Sequence, residues 1–261
     1  VITGAGSGIG YALTKLALSR GAQVAAVDLH PGALAQLRRD MGSPATLSIH
    51  TLDISDRTAV AALPDEVLAA HGVVDVLINN AGIIQPFQRV EQLDYDTIDR
   101  VMNVNFMGTL YMVKAFLPLL RQRPVAHIAN VSSMGGFFPF PGQTVYGASK
   151  AAVKLLTEGL YAELLDTNVG VSVVMPGAVA TSITENSGVA APDAEGAKGL
   201  QPTEPETAAR VILDGIAGNK LHVYVGNDSR AMSLAIKLAP KQATKLVQKQ
   251  MKGLIETPES T

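Results

Sequence analysis

Tyr146 and Lys150 are the two side chains best suited to move a proton, and they stand four residues apart in the segment YGASK. Residues at this spacing lie on the same face of a helix, so the ammonium group can sit near the phenol. A free tyrosine has a pKa of about 10, which is too high for a base at neutral pH. Because a nearby cation favours the phenolate, we predict that Tyr146 is a general acid or base and that Lys150 supports it.

Three more polar side chains could complete this site. Ser133 follows a predicted strand, where its hydroxyl can hydrogen-bond a carbonyl or alcohol oxygen of a substrate. Asn105 can hold a water molecule in a relay toward Lys150. Gln143 stands close to Tyr146 in sequence and could touch polar groups of the substrate. Taken singly, such residues are more often caps or satisfied buried polar groups, so only their combination indicates catalysis.

A glycine-rich turn, TGAGSGIG, spans Thr3 to Gly10 between the first predicted strand and the first predicted helix. Gly4 can adopt the tight turn, Gly8 lets backbone N–H groups approach a pyrophosphate, and Gly10 allows close packing of the helix. The helix N-terminus adds the positive end of its dipole. This turn predicts a dinucleotide site, although a glycine-rich turn alone is a weak signal.

Asp28 ends the second predicted strand, eighteen residues after Gly10. A carboxylate at this point can accept hydrogen bonds from the adenosine ribose hydroxyls and would repel a 2′-phosphate. Neither Leu29 nor Ser7 offers a cation that would attract this phosphate. The sequence therefore predicts NAD rather than NADP as the cofactor.

The apolar pattern predicts the elements that position these side chains. Short apolar runs alternate with helical patterns, which indicates the α/β class and a parallel sheet covered on both faces. The predicted strands are a stub before Gly4 and the runs Gln23 to Val27, Thr46 to Thr51, Asp75 to Asn79, Val125 to Val131, Gly170 to Met175 and Leu221 to Val225. The predicted helices are Gly10 to Arg20, Gly32 to Met41, Asp56 to His71, Tyr95 to Leu120, Val145 to Leu165 and Glu204 to Gly218.

We therefore predict a single doubly wound Rossmann domain with seven parallel strands over residues 1–228, followed by a C-terminal helical extension over 229–261. Residues 184–205 are rich in Gly, Ala and Pro and follow a strand end, so we expect a mobile lid over the substrate. The extension contains two helical pieces interrupted at Pro240, with lysines at four-residue spacing. Such a basic amphipathic helix can touch an anionic membrane or a partner, whereas a solvated face packed on its own protein is more common.

Composition limits the remaining choices. The chain has 261 residues, a net charge of −2 and a pI near 6.2, which argues against a nucleic-acid partner. It has no cysteine, which excludes disulfides and thiolate catalysis and fits a cytoplasmic location. The five histidines show no ligand spacing, so we expect no metal, and no apolar run has the roughly 18 residues of a membrane span. The first strand looks clipped at Val1, so we expect residues to be missing before it.

Over about Val1 to Val225 the chain resembles the short-chain dehydrogenase/reductase family. The motifs and residues that carry this resemblance are, in order along the chain, TGAGSGIG, Asp28, Asp53, NNAG, Asn105, Ser133, YGASK and the PGAVAT run. The resemblance implies a catalytic tetrad of Asn105, Ser133, Tyr146 and Lys150. It implies that Asp53 bonds the adenine amino group, with Ile54 packing beside it. Further cofactor contacts implied by the resemblance are Ser7, Ile9, Leu29, Asn80, Ala81, Gly82, Pro176, Gly177, Val179 and Thr181.

The resemblance also implies an oxidoreductase that moves a hydride between NAD(H) and a secondary alcohol or ketone. Phe137, Phe138 and Phe140 fall in the segment that borders the substrate pocket in this family, which suggests an apolar substrate, although core or subunit packing explains these rings nearly as well. Family members are usually homodimers or homotetramers built on the helices that match Tyr95 to Leu120 and Val145 to Leu165. Two alternatives stay open: a catalytically silent NAD(H)-sensing or interaction protein on the same fold, and an NADP-dependent reductase.

Overall fold

The structure is a computed structural model that describes residues 1–189 and 202–255, with the backbone alone for 250–255. Seven parallel strands form one sheet in the order β3-β2-β1-β4-β5-β6-β7. The strands are β1 (Ile2–Thr3), β2 (Val24–Asp28), β3 (Leu47–Thr51), β4 (Val76–Asn79), β5 (Ala126–Val131), β6 (Val169–Pro176) and β7 (His222–Val225). The predicted Rossmann architecture is confirmed.

Helices cover both faces of this sheet. They are α1 (Gly8–Ser19), α2 (Pro31–Asp40), α3 (Arg57–His71), α4 (Tyr95–Met102), α5 (Thr109–Leu120), α6 (Thr144–Leu164), α7 (Ile183–Asn186), α8 (Pro205–Ala217), α9 (Asn227–Leu238) and α10 (Pro240–Ile255). Apolar residues of α1, α2 and α8 pack on one face of the sheet, and those of α3, α5 and α6 pack on the other. Because helices cover both faces of the sheet, all six residues of β5 are buried, including the polar His127 and Asn130.

The strand order reverses between β1 and β4, because the chain runs outward to β3 and then returns to the middle of the sheet. Connections on the two sides of this point diverge and leave a crevice at the carboxyl ends of the strands. The glycine-rich turn after β1 and the NNAG segment after β4 both lie at this crevice. The topology thus brings two sequence motifs that are nearly 80 residues apart to one place.

The predicted helix from Tyr95 to Leu120 is not uniform. A wide π-helical turn, Asn103–Gly108, joins α4 to α5. Turns of this kind are rare and often mark functional sites. Asn105 lies within the turn and is fully buried. The Thr109 hydroxyl donates to the Asn105 carbonyl oxygen at 2.8 Å, which satisfies a backbone acceptor there.

The C-terminal helices pack on the loop that follows Ser133. Phe138 is fully buried and forms a small apolar cluster with Met134, Ala243 and Val247. The predicted interruption at Pro240 is confirmed, since α9 ends at Leu238 and α10 begins at Pro240. None of the three phenylalanines of this loop lines the main cleft of the described structure, so the rings support the chain's own C-terminal helices.

The predicted lid lies only partly within the described residues, because 190–201 fall outside them. Before this gap, the Asn186 amide donates to the Ser7 hydroxyl at 2.7 Å, and the Ile84 N–H donates to the Ser187 hydroxyl at 3.0 Å. After it, Thr203 forms a parallel bridge with Val179. The two ends of the segment are therefore attached to the rim of the crevice.

Among the described helices, none combines the length and apolar character needed to cross a membrane. Within the same residues, the His, Asp and Glu side chains form no group of three or more that could hold a metal ion.

Candidate active site

A cleft of about 690 Å³ lies at the reversal of strand order. Most of the side chains singled out in the sequence line it, from the glycine-rich turn to the proposed tetrad. The predicted residues that line the cleft are Gly4, Ser7, Gly8, Ile9, Asp28, Leu29, Asp53, Ile54, Asn80, Ala81, Gly82, Ser133, Tyr146, Lys150, Pro176, Gly177, Val179 and Thr181. Three predicted site residues do not line it: Gly10, Asn105 and Gln143.

The glycine-rich turn has the backbone geometry that the sequence requires. Gly4 and Gly8 have φ angles of +66° and +51°, which side chains other than glycine rarely adopt. A Cβ atom at Gly10 would collide with the Gly4 carbonyl oxygen, so α1 can approach β1 only without a side chain there. A Cβ atom at Gly8 would lie 3.0 Å from Thr181 across the cleft. The turn therefore leaves an open cradle at a helix N-terminus, which fits a pyrophosphate.

Asp28 is held at the end of β2 by two backbone N–H groups. Its Oδ2 accepts from Gly6 at 2.8 Å, and its Oδ1 accepts from His30 at 2.9 Å. Each carboxylate oxygen has a second lone pair, so the group can still accept from a ligand in the cleft. Gly6 was not among the predicted cofactor contacts. A Cβ atom at this position would lie 3.0 Å from Asp28 Oδ2. The glycine turn and the carboxylate are thus one structural unit.

Asp53 and Ile54 lie after β3 on the same side of the cleft. Asp53 Oδ1 accepts from the Ser55 N–H at 2.8 Å and from the Ser55 hydroxyl at 2.7 Å. Ile54 is buried and packs against Gly108 at the end of the wide turn, where an added Cβ atom would lie only 2.8 Å away. This contact joins the predicted adenine pocket to the element that carries Asn105.

Tyr146 and Ser133 both line the cleft, and their side chains lie close enough to interact by a hydrogen bond. Ser133 follows β5, and its Oγ accepts from the Gly135 N–H at 3.0 Å. Burial raises the pKa of Tyr146 above its ordinary value, because the phenolate would lose hydration, and the Ser133 side chain acts in the opposite direction. Burial therefore favours the neutral phenol over the phenolate.

Lys150 lies one turn further along α6, as its spacing predicts. Its Nζ is 6.0 Å from the centre of the Tyr146 ring and donates to the Val131 carbonyl oxygen at 3.1 Å. Burial lowers the pKa of this ammonium group to about 8. A Cβ atom at Gly82 would lie 2.8 Å from Nζ, so a side chain there would press on the ammonium group.

The side-chain amide of Asn105 forms hydrogen bonds to the segment after β4 and to α6. Its Oδ1 accepts from the Ile83 N–H at 2.8 Å, while its Nδ2 donates to the Ile83 carbonyl and to the Ser149 hydroxyl, both at 2.9 Å. Ser149 in turn donates to the Tyr146 carbonyl at 2.7 Å. The structure thus places Asn105 between the segment after β4 and α6, one layer behind the cleft.

Two supporting residues gave no signal in the sequence. Gln85 is fully buried and accepts hydrogen bonds from two N–H groups at the start of α6. Asp228, at the start of α9, accepts from the Ala178 N–H at 2.8 Å and so holds the PGAVAT segment. Gln143 donates to the Gln85 carbonyl oxygen at 2.9 Å and does not line the cleft. Each of these bonds joins segments at least 50 residues apart, which no local pattern reveals.

Comparison with known proteins gives a consistent result. The profile of a family described as short chain dehydrogenase matches residues 1–191. A Mycobacterium tuberculosis (strain H37Rv) protein named SadH is 34% identical over 256 residues, which is 95% of this chain and 92% of SadH.

Two solved structures share the fold along nearly the whole chain. The short chain dehydrogenase/reductase from Burkholderia phymatum in complex with NAD has a TM-score of 0.84 at 28% identity, covering 100% of this chain and 96% of its own. A short chain dehydrogenase from Burkholderia cenocepacia J2315 in complex with NADP has a TM-score of 0.77 at 27% identity, covering 94% of both chains. Similar proteins thus occur with either nicotinamide cofactor.

Proposed function

Because the chain belongs to the short-chain dehydrogenase family, we propose that it transfers a hydride between NAD(H) and a secondary alcohol or its ketone. The observation that carries this proposal is that Ser133, Tyr146 and Lys150 line the same cleft as the glycine-rich turn. A site for a dinucleotide and a site for proton transfer therefore share one space. A protein that only senses the cofactor would not need the second of these.

The residues present fit a nicotinamide dinucleotide. Gly4 and Gly8 line the cleft without a side chain that would keep a pyrophosphate from their backbone, and Asp28 retains acceptor capacity for ribose hydroxyls. The segment from Pro176 to Thr181 lines the same cleft and would hold the nicotinamide. When bound, the nicotinamide supplies or accepts the hydride.

Tyr146 would act as the acid or base at the reacting oxygen. In alcohol oxidation its phenolate would take the hydroxyl proton, and in ketone reduction its phenol would donate one. Ser133 would hold the same oxygen by a hydrogen bond. Lys150 would bond the nicotinamide ribose and add a positive charge that offsets the burial of the phenolate. Asn105 would order water leading toward Lys150.

We propose NAD as the cofactor because the Asp28 carboxylate faces the cleft where an adenosine ribose would lie. A 2′-phosphate at this point would meet a like charge. Within residues 1–189 and 202–249, the lysine and arginine side chains that line the cleft are Lys150, on α6, and Arg100, on α4, neither of which belongs to the β2 end. Asp28→Ala should therefore raise the affinity for NADPH relative to NADH, measured by fluorescence titration of both. Tighter binding of NADPH than of NADH by the wild-type protein would contradict this choice.

The substrate that we propose is apolar. Ile83, Ile84 and Ile183 line the cleft near the end of β4 and the start of the predicted lid. Three isoleucines in one wall favour an alcohol with a hydrocarbon body over a strongly hydrated one. We also propose that Gln143 contributes to substrate binding through its Oε1, which is buried and has no hydrogen-bond partner among the residues that the structure describes.

The first experiment follows NADH formation from NAD, with NADP in parallel, across secondary alcohols from short diols to steroids. We expect turnover with NAD on an apolar alcohol. Tyr146→Phe should reduce kcat by about 10²- to 10⁴-fold while NADH binding is retained. If NADH binds tightly but no alcohol is oxidised, a cofactor-sensing protein becomes the better interpretation.

We further propose that the protein is a homodimer or homotetramer. We also propose a cytoplasmic location, which the cysteine-free sequence fits. On α6, Leu155 is 71% exposed and Tyr161 is 38% exposed. Leu165, directly after this helix, is 60% exposed. Exposed apolar side chains along one helix favour a subunit contact. Light scattering after size exclusion should give a multiple of 27.3 kDa for the wild type. A smaller species is expected for Leu155→Glu.

A further inference from the structure

The helix that carries Tyr146 is capped from outside its own segment. Gln143 occupies the N-cap position of α6 but makes no side-chain hydrogen bond to the helix. Instead, Gln85 Oε1 accepts from the Val145 N–H at 2.8 Å and from the Tyr146 N–H at 2.9 Å. These are two of the N-terminal N–H groups that every helix leaves without an internal partner. One of the two belongs to the backbone of the proposed acid or base itself.

The Gln85 side chain is fixed on every side. It is fully buried, and its Nε2 donates to the Gly142 carbonyl oxygen at 2.9 Å. Its backbone carbonyl accepts from the Gln143 amide at 2.9 Å. Rotating the amide by 180° would bring two donors onto the N–H groups of α6, so the hydrogen bonds allow one orientation. A buried amide with this many partners holds its neighbours rigidly.

The segment that ends at Gln85 also forms a wall of the cleft. It contains Asn80, Ala81 and Gly82, which line the proposed cofactor site, and Ile83, which Asn105 holds with two hydrogen bonds. This segment is therefore joined to α6 at two points. Asn105 connects it to Ser149, and Gln85 connects it to the first turn of the helix. The distance between the cofactor wall and the phenol is set by both connections.

We propose that Gln85 is a positioning residue for Tyr146, acting through the backbone of α6 to hold the phenol at the correct distance from the cofactor. This inference rests on the proposed function, because it needs Tyr146 to be the acid or base. Loss of the two hydrogen bonds would free the first turn of α6 while leaving the glycine-rich turn and Asp28 in place. The chemical step should then suffer, whereas binding of the cofactor should not.

The test compares three variants in the NAD-linked alcohol assay. Gln85→Met keeps the volume but removes the acceptor for both N–H groups. Gln85→Glu keeps an acceptor oxygen at the same distance and, as the neutral carboxyl group, can still donate to the Gly142 carbonyl oxygen. Gln85→Asn keeps an amide but draws it back by one methylene group, and it serves if the methionine variant folds poorly. Gln88→Met, an exposed position on the same loop, is the control. Each variant is measured for kcat, KM, the NADH dissociation constant and melting temperature.

We expect Gln85→Met and Gln85→Asn to lower kcat by about 10- to 100-fold, as displacement of a reacting group by about 1 Å does. The NADH dissociation constant should stay within about twofold of wild type, and Gln85→Glu should recover most of the lost kcat. A purely structural role would instead weaken NADH binding and kcat together, without recovery by glutamate, and would overturn the proposal. Wild-type turnover with unchanged kcat in Gln85→Met overturns this inference alone. Absence of Tyr146-dependent turnover in the wild type overturns the proposed function and this inference with it.

Discussion

Replacement of Lys150 by methionine should make the protein's stability respond differently to pH. Lys150 is only 4% exposed, and burial lowers the pKa of its ammonium group from 10.5 to about 8. Below pH 8 the lysine is charged in the folded and the unfolded state, so folding bears the full cost of burying the charge. Between pH 8 and 10.5 the folded state has lost the proton while the unfolded state still holds it. Because the unfolded state then binds more protons, the Lys150 contribution to stability rises with pH across this window.

The size of the effect follows from the difference between the two pKa values. One pKa unit corresponds to about 1.4 kcal/mol, so the decrease from 10.5 to about 8 amounts to about 3 kcal/mol. The wild-type free energy of unfolding, relative to that of Lys150→Met, should therefore rise by about 3 kcal/mol from pH 7 to pH 10.5. The variant also loses the hydrogen bond from Lys150 to the Val131 carbonyl oxygen, so the comparison uses the change of the difference with pH and not its absolute value.

The assay is urea unfolding of both proteins without cofactor, at one protein concentration, in steps of half a pH unit. Lys15→Met, on the exposed side of α1, is the control for the loss of one lysine. Other titrating groups are common to all three proteins and cancel in the differences. A wild-type to Lys150→Met difference that stays constant from pH 7 to 10.5 would refute the argument that burial governs this ammonium group.

Four further outcomes are expected. Gly10→Ala, whose Cβ would collide with the Gly4 carbonyl oxygen, should weaken NADH binding in a fluorescence titration. Asp56→Ala removes the acceptor for the Thr58 N–H at the start of α3 and should cost about 1 kcal/mol in urea unfolding. Arg123→Ala breaks an exposed ion pair and should change this energy by less than about 1 kcal/mol. Phe138→Ala should cost about 3–5 kcal/mol, and a smaller cost would show that the C-terminal helices pack loosely.

Much of the sheet could be predicted because its strands are buried on both faces. Such strands must be apolar nearly throughout, and the runs that end at Val131 and Met175 are continuous enough to be seen in the sequence. The dinucleotide turn was equally visible, since the conformations of Gly4 and Gly8 demand glycine. In both cases the physical requirement falls on neighbouring residues, and local patterns record it.

The remaining features depend on contacts between distant segments. Gln85 and Asp228 act by accepting hydrogen bonds from backbone N–H groups 50 or more residues away, and a backbone donor carries no mark in the sequence. The wide turn around Asn105 contains polar and apolar residues that also suit an ordinary helix. Phe138 is recognisable in the sequence as a large apolar side chain. The residues that it packs against lie partly in α10, so its contacts could not be predicted from its own segment.

The π-helical turn also fixes the rotational phase of the helices on either side. An α-helix advances about 100° per residue, so accommodating one more residue in a turn rotates everything before it by about that angle relative to everything after it. The side of α4 that faces the cleft is thus not determined by the side of α5 that packs its apolar residues on the sheet. Deleting a single residue between Asn103 and Gly108 would restore a continuous α-helix. It would also turn α4, and Arg100 with it, away from the cleft.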